Sequence, residues 1–487
     1  MIAWSIYLTF AGALALLVLP RQLARWIALL TALAGSAVTF AALADYVVKD
    51  PSFKTIIDVP WISSPFAIHF HLAVDGISLA MTLVTGLTAV SAVLMSWNVT
   101  RRQNEFFFWL LLVIGGSYGV FLSADLFLFI VFYELVIVPK FFLIATWGST
   151  NKAYGAMKLT LYSFLGGAMV IVALIAAAVQ GHTFDLIQLS SQTFPIALQT
   201  WAFPVMFLGF AILAGIWPFH TWAPTGHVAA PTAGSMLLAG VVMKLGAYGA
   251  LRVAMNLFPQ GYHMWRDSFA ILALIGICYA AGVALRQRDL KFVIGYSSVS
   301  HMGFVLLGLC AANVLGAGGA VLQMFSHGII AGLLFSVVGR MIYERTHTRD
   351  LPALATMGLS RAIPFAAFTF VIASAASMGI PGFSGFAAEI AILLGLWKAF
   401  PWMIGIAGFG MVLTAAFTLR ALKLSFFADA PALPDTAPPH HELAPITLAE
   451  KLGAILLMAA TLVVGLDPKL LLDRILPCVE AMRWMQP

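Results

Sequence analysis

Apolar stretches long enough to cross a membrane recur along almost the whole chain. They fall near residues 2–19, 26–44, 77–97, 106–124, 126–147, 156–179, 203–225, 232–255, 268–285, 293–312, 318–343, 363–398, 402–424 and 450–467. A transmembrane helix needs roughly 20 apolar residues to match a hydrocarbon core about 30 Å thick. The fold class that follows is an all-α polytopic membrane protein of about fourteen transmembrane helices. Composition agrees: 61% of the 487 residues are hydrophobic and 9% charged, against about 45–50% and about 25% in ordinary soluble domains. Those figures exclude a large soluble enzyme, and such apolar content is the reverse of the signature of disorder.

Two of the stretches read as broken. The seventh carries Pro218 and Pro224 around Trp217-Pro-Phe-His-Thr-Trp, and the twelfth, too long for one straight helix, carries Gly379-Ile-Pro-Gly-Phe-Ser-Gly. Irregular backbone survives at membrane depth only where protein or a wet cavity satisfies it. Paired interrupted segments in the two halves of a transporter point to its ion pathway. Loops after odd-numbered spans, with Arg21, Arg25, Arg101, Arg102, Lys152, Arg288 and Arg345 among their charges, hold about twice as many Lys and Arg as the others. That bias predicts odd loops in the cytoplasm and both termini on the outer side. No basic residue precedes the first stretch, so it reads as a retained span and not as a secretory signal. The Pro-, Asp- and His-rich segment 429–446 reads as a solvated linker before a last helix.

Cys278, Cys310 and Cys478 stand far apart, which gives neither a CxxC pair nor zinc-ligand spacing. There is no dinucleotide fingerprint, Walker loop or haem-attachment motif. No cofactor and no metal are therefore expected in this chain. A net charge of +6 without a long basic run gives no reason to expect a nucleic-acid partner.

Four charged residues, Glu134, Lys140, Lys244 and Glu389, lie inside the spans, and His301 and His327 share their apolar surroundings. A charge at the bilayer centre costs about 2.5–3.5 kcal/mol even on the lenient insertion scale, so such residues face a bundle interior and mark ion or proton routes. The plain alternative for any one of them is a neutral carboxyl, a paired structural ion or a ring bonded to a backbone carbonyl. Their presence in both halves favours a route. An imidazole titrates near neutral pH and suits a relay between a lysine and a carboxylate.

The motifs Val74-Asp-Gly-Ile-Ser, Tyr133-Glu-Leu-Val-Ile-Val-Pro, Pro218-Phe-His-Thr-Trp, Ala230-Pro-Thr-Ala-Gly-Ser, Asp289-Leu-Lys, Tyr296-Ser-Ser-Val-Ser-His-Met-Gly and Gly379-Ile-Pro-Gly-Phe-Ser-Gly-Phe-Ala-Ala-Glu follow one another in order. Together they resemble the antiporter-like subunits of complex I, the proton-pumping NADH:quinone oxidoreductase. Within that family, Tyr343-Glu-Arg-Thr-His-Thr-Arg is similar to the branch of bacterial subunit M and mitochondrial chain 4. The resemblance implies two inverted five-helix repeats with broken helices 7 and 12. The division it implies is 1–105 for helices 1–3, 106–255 for the first repeat, 256–425 for the second, and 426–487 for a linker and helix 14. It also implies a proton pathway through Glu134, Lys244, His301, His327 and Glu389, with Asp289 and Lys291 as loop charges near it.

One member of the family's polar axis is missing. The position of its helix-7 lysine is Leu213, so Glu134 lacks the usual cationic partner. Lys140 and Lys158 are the possible compensating cations. Lys140 lies six residues past Glu134, about 9 Å along a helix and about 240° round it, which makes direct pairing poor.

The function implied is that of a proton-translocating membrane subunit of a respiratory complex I-type NADH:quinone oxidoreductase. Its partners would be the other membrane subunits, paralogous antiporter-like ones included, in a bacterial cytoplasmic membrane. The redox chemistry would lie in those partners. Two other readings stand beside it: a subunit of a multi-subunit cation/proton antiporter or membrane-bound hydrogenase, and a non-pumping structural subunit, which Leu213 favours.

Overall fold

The computed structural model describes residues 1–46, 51–64, 67–428 and 443–485. Most of the expected linker, 429–442, lies outside the described residues. The helices are α1 (Trp4–Val18), α2 (Arg21–Asp45), α3 (Gly76–Met95), α4 (Gln103–Leu122), α5 (Leu126–Trp147) and α6 (Lys152–Gly181). Next come α7 (Ile196–Ala214, continued as Trp222–Ala229) and α8 (Thr232–Leu257), then α9 (Pro259–Arg286), α10 (Leu290–Cys310) and α11 (Val314–Thr346). The series ends with α12 (Pro364–Ser377, continued as Ser384–Ala399), α13 (Pro401–Phe427) and α14 (Leu448–Leu466). Among the described residues, twelve of these helices are long and apolar enough to span a membrane. The first segment of α12 and α1 are shorter apolar helices.

Local sequence chemistry sets the ends. Pro259, Pro364 and Pro401 open α9, α12 and α13, where a missing N–H costs nothing. Asp75, Asp125, Asp289 and Asn313 accept from the first free backbone N–H groups of α3, α5, α10 and α11. Gly215 at φ +92° ends the first segment of α7, and Gly379 at φ +68° ends the turn after the first segment of α12.

The helical architecture is accompanied, outside the spans, by one short hairpin. Strands β1 (Lys54–Ile62) and β2 (Ile68–Val74) pair antiparallel, with Asp58 opposite His71. Alternation of Ile68, Phe70 and Leu72 with His69 and His71 is a period-two signal, too short to register in a search for span-length stretches. A helix, α15 (Lys469–Glu480), also follows the last span.

Spans α3, α8, α10 and α11 are buried over almost their whole length, whereas α2, α13 and α14 bury only a third or slightly more of theirs. Large apolar side chains such as Leu14, Leu30, Val172, Phe409 and Leu466 form the lipid-facing surface.

One backbone arrangement occurs twice. Leu126 N–H donates to the Phe184 carbonyl and Leu186 N–H to that of Ala124, both at 2.8 Å, where α5 begins. At the start of α10, Leu290 N–H donates to Arg349 O at 2.9 Å and Leu351 N–H to Arg288 O at 2.8 Å. Each brace joins two aspartates across a bridge, Asp125 to Asp185 and Asp289 to Asp350.

Candidate ion pathway

From α8 into the second half the buried ionisable residues form a line. Helix α8 widens to π-helical turns over Leu238–Val242, and Lys244 reaches back from just beyond them to donate to the Ala239 carbonyl. A π turn inserts one residue into the helical register and is common at functional sites. Lys244 is fully buried, and its Nζ stands 2.6 Å from Nδ1 of His327 on α11. That contact needs a single proton between the two nitrogens, donated either by the lysine nitrogen to a bare Nδ1 or by Nδ1–H to the lone pair of the amine.

The His327 ring centroid is 5.5 Å from that of His301 on α10. His301 Nδ1 then lies 3.3 Å from Oε1 of Glu389 on the second segment of α12. Ser377, at the end of the first segment, stands 3.2 Å from His301 Nε2. Gln323, one turn before His327, points its Nε2 at both His301 Nδ1 (3.4 Å) and Glu389 Oε1 (3.5 Å). The break in α12 makes room for this carboxylate: a Cβ on Gly379 would come within 2.7 Å of Glu389 Oε2.

The first half is arranged differently. Glu134 Oε1 is buried without a hydrogen-bond partner among the described residues and lies against Gly167 of α6, where a Cβ would strike it. Lys140 is 3% exposed, and its Nζ also has no partner. It lines a small apolar cavity between α4, α5 and α8. Lys158 donates to Thr225 Oγ1 at 3.4 Å and lies over the Tyr154 ring. Neither lysine pairs with Glu134, so the compensation expected for Leu213 is absent as a direct ion pair. Leu213 itself is packed in the apolar core.

Asp289 and Lys291 stand at the start of α10. Lys291 donates to the Ala230 carbonyl at 2.6 Å, and Arg349 donates to that of Val228 at 3.2 Å and to Asp289 at 3.2 Å. Two cations thus cover the carbonyl end of α7, as the helix dipole favours.

A family profile described as NADH:quinone oxidoreductase/Mrp antiporter, transmembrane, matches residues 123–414, a span that holds every residue of this line. NADH-quinone oxidoreductase subunit M of Rhodobacter capsulatus is 36% identical over 493 residues, covering 97% of this chain and 94% of that one. The chain belongs to the NADH:quinone oxidoreductase/Mrp antiporter family. Another member, an NAD(P)H-quinone oxidoreductase chain 4 of Synechococcus elongatus, is 35% identical over 92% of this chain and 84% of its own. A chain of respiratory complex I from Thermus thermophilus superposes with a TM-score of 0.90 at 25% identity, each chain covered completely. The Mrp complex from Dietzia sp. contains a chain of the same fold, with a TM-score of 0.84 at 19% identity over 99% of this chain and 97% of that one.

Several parts of this family member's site escape a search for charges. Gln323 is neutral, and only its place one turn from His327 marks it. A hydroxyl line runs from Ser326 to Ser384 (2.8 Å) and on to Thr461 of α14 (2.9 Å). Further π-helical turns hold Arg252 (Ala250–Ala254), Arg340 (Val337–Tyr343) and Lys423 (Lys423–Phe427), and hydropathy carries no trace of a one-residue insertion.

Proposed function

We propose that this chain is a proton-translocating, antiporter-like membrane subunit of a complex I-type NADH:quinone oxidoreductase. The observation that carries the proposal is the contact of Lys244 Nζ with His327 Nδ1 and its continuation through His301 to Glu389. In this reading Lys244 stores a proton, the histidines relay it, and Glu389 exchanges it beside the broken helix. Passage between His327 and His301, whose centroids are 5.5 Å apart, needs a ring rotation or a bridging water. Moving one charge against 100 mV costs about 2.3 kcal/mol. Quinone reduction in partner subunits must supply that work, and this chain contributes no electron transfer of its own.

Relatives named as quinone oxidoreductase subunits support these partners, which include paralogous antiporter-like subunits. The twin braces at the starts of α5 and α10 support two repeats, 106–255 and 256–425. Five spans separate those starts, so the repeats are inverted. The excess of basic residues in odd loops supports a bacterial cytoplasmic membrane setting with both termini outside.

The test is a reconstituted complex carrying Lys244→Met, with the proton-to-electron ratio measured in sealed vesicles. A lower ratio in an assembled complex that still reduces quinone is the expected result. An unchanged ratio would make this a structural subunit, the reading that Leu213 favours.

A further inference from the structure

Two glycines meet where Lys244 meets His327. Gly240 lies in the π turns of α8, directly after Ala239, whose carbonyl receives Lys244. Gly328 directly follows His327 on α11. The two backbones touch at this point. A Cβ on Gly328 would stand 2.6 Å from the Gly240 carbonyl oxygen, and a Cβ on Gly240 would stand 3.2 Å from that of Gly328. Ordinary contact begins near 3.4 Å. Glycine is a poor helix former, so a facing pair inside two fully buried helices asks for a packing reason.

Helix α3 closes the third side. Val84 Cγ2 would stand 2.6 Å from a Cβ on Gly328, and Thr88 Cγ2 would stand 2.8 Å from one on Gly240. Val84 and Thr88 are one turn apart, so a single face of α3 packs on both glycines. This helix is itself buried over almost its whole length and has no free space to retreat into. Gly332, one turn further along α11, is less confined: a Cβ there would meet Leu457 Cδ1 at 3.4 Å and Thr88 Cγ2 at 3.8 Å.

The tight contact bears directly on the 2.6 Å between Lys244 Nζ and His327 Nδ1. A methyl group at Gly328 would push α8 and α11 apart by about 1 Å. The lysine cannot simply follow the ring, because the same Nζ is bonded to the Ala239 carbonyl, one residue from Gly240. A misplacement of about 1 Å slows such a transfer roughly 100-fold.

We propose that Gly240 and Gly328 are positioning residues for proton transfer: their backbone contact, backed by Val84 and Thr88 of α3, sets the distance between Lys244 and His327. The inference rests on the reading of this chain as a proton translocator. The step they serve is one proton passing between Nζ and Nδ1, in which one N–H bond breaks and the other forms. The glycines hold the two nitrogens in reach and exchange no proton themselves.

The experiment uses the reconstituted whole complex and reads the proton-to-electron ratio, the amount of assembled complex, and the nitrogen NMR signal of His327 Nδ1 after histidine labelling. Gly240→Ala and Gly328→Ala should each lower the ratio toward that of Lys244→Met and shift the Nδ1 signal, with quinone reduction retained. Gly332→Ala, the same substitution on the same helix with room for the methyl, should leave both readings unchanged. Adding Thr88→Ala to Gly240→Ala removes the closest clash and should restore ratio and signal together. If Gly328→Ala fails to assemble, Gly240→Ala and its double variant decide, since their clash falls mainly on a side-chain methyl. A normal ratio with an unshifted Nδ1 signal in assembled Gly240→Ala would overturn the inference, and so would a double variant that stays low. A normal ratio in Lys244→Met would instead remove the reading on which the inference stands.

Discussion

The two halves of this protein share a backbone device and differ in what hangs on it. Each opens its second helix with the same paired hydrogen bonds and the same aspartate bridge, Asp125 to Asp185 and Asp289 to Asp350. In the half that follows α8, His327, His301, Gln323 and Glu389 stand within contact of one another and join Lys244. In the half before it, Glu134 and Lys140 sit on one helix and face different neighbours, and neither Glu134 Oε1 nor Lys140 Nζ meets a partner among the described residues. Scaffold and chemistry are therefore separable in this fold: a frame used twice carries a chain of polar contacts in one place and two disconnected charges in the other, and side chains alone decide which.

The largest expected effect falls on the connected half. Lys244→Met should remove its share of proton transfer, and adding Glu389→Gln should change nothing further, because both act in one line. Fully additive losses in a double-mutant cycle would break the line into separate sites. Gly379→Ala places a Cβ at positive φ and 2.7 Å from Glu389 Oε2. It should lower stability by about 1–3 kcal/mol, read as an earlier loss of assembled complex on heating. An unaltered melting profile would mean that the carboxylate is free to move aside.

A smaller change is expected for Gln323→Leu, which removes the amide between His301 and Glu389. Losing a buried hydrogen bond of about 1 kcal/mol should slow proton delivery roughly fivefold. For Glu134→Gln the proton-to-electron ratio should be unchanged, since its buried Oε1 has no hydrogen-bond partner among the described residues. A fall in the ratio would join Glu134 to the route and erase the contrast between the halves.

The smallest effect lies outside the membrane. His71 of the hairpin shares its Nδ1 with Asp185 at 2.8 Å and its Nε2 with Thr55 at 2.8 Å. Burial works against a charge on this ring, but the hydrogen bond and charge of Asp185, with Asp58 and Asp125 beyond, hold its pKa above the ordinary histidine value. The clamp on the first brace is therefore complete below about pH 6.5 and weakens as pH rises past the raised value. Amide protection in β1 and β2, taken relative to the intrinsic base-catalysed exchange rate, should fall as pH rises past that value, and His71→Ala should abolish this fall.

Much of this was legible in the sequence because lipid imposes a crude rule. Fourteen apolar stretches lie on helices, and Gly379 and Pro218 mark real breaks, since both features depend on composition and backbone freedom. The candidate residues were legible for the same reason: Lys244, His301, His327 and Glu389 are costly in an apolar stretch. Their order was not, because it depends on how four helices pack. Lys140 shows the limit most clearly. Its spacing from Glu134 argued against pairing, but only the packed structure reveals that it shares a cavity wall with α8. The hairpin and the π turns were lost to scale, one being shorter than a span and the other a single inserted residue.

The enclosure of α8 and α10 has a price during biosynthesis. They are the least apolar of the twelve long spans, and α8 carries both Lys244 and Arg252. Neither helix touches lipid over much of its length in the finished protein, but a chain emerging from the ribosome delivers α8 before His327 has been made. Such a span cannot rest alone in the bilayer at little cost. Its insertion must wait for, or lean on, α3 and α7, already in place, so the order of synthesis becomes part of how Lys244 comes to meet His327.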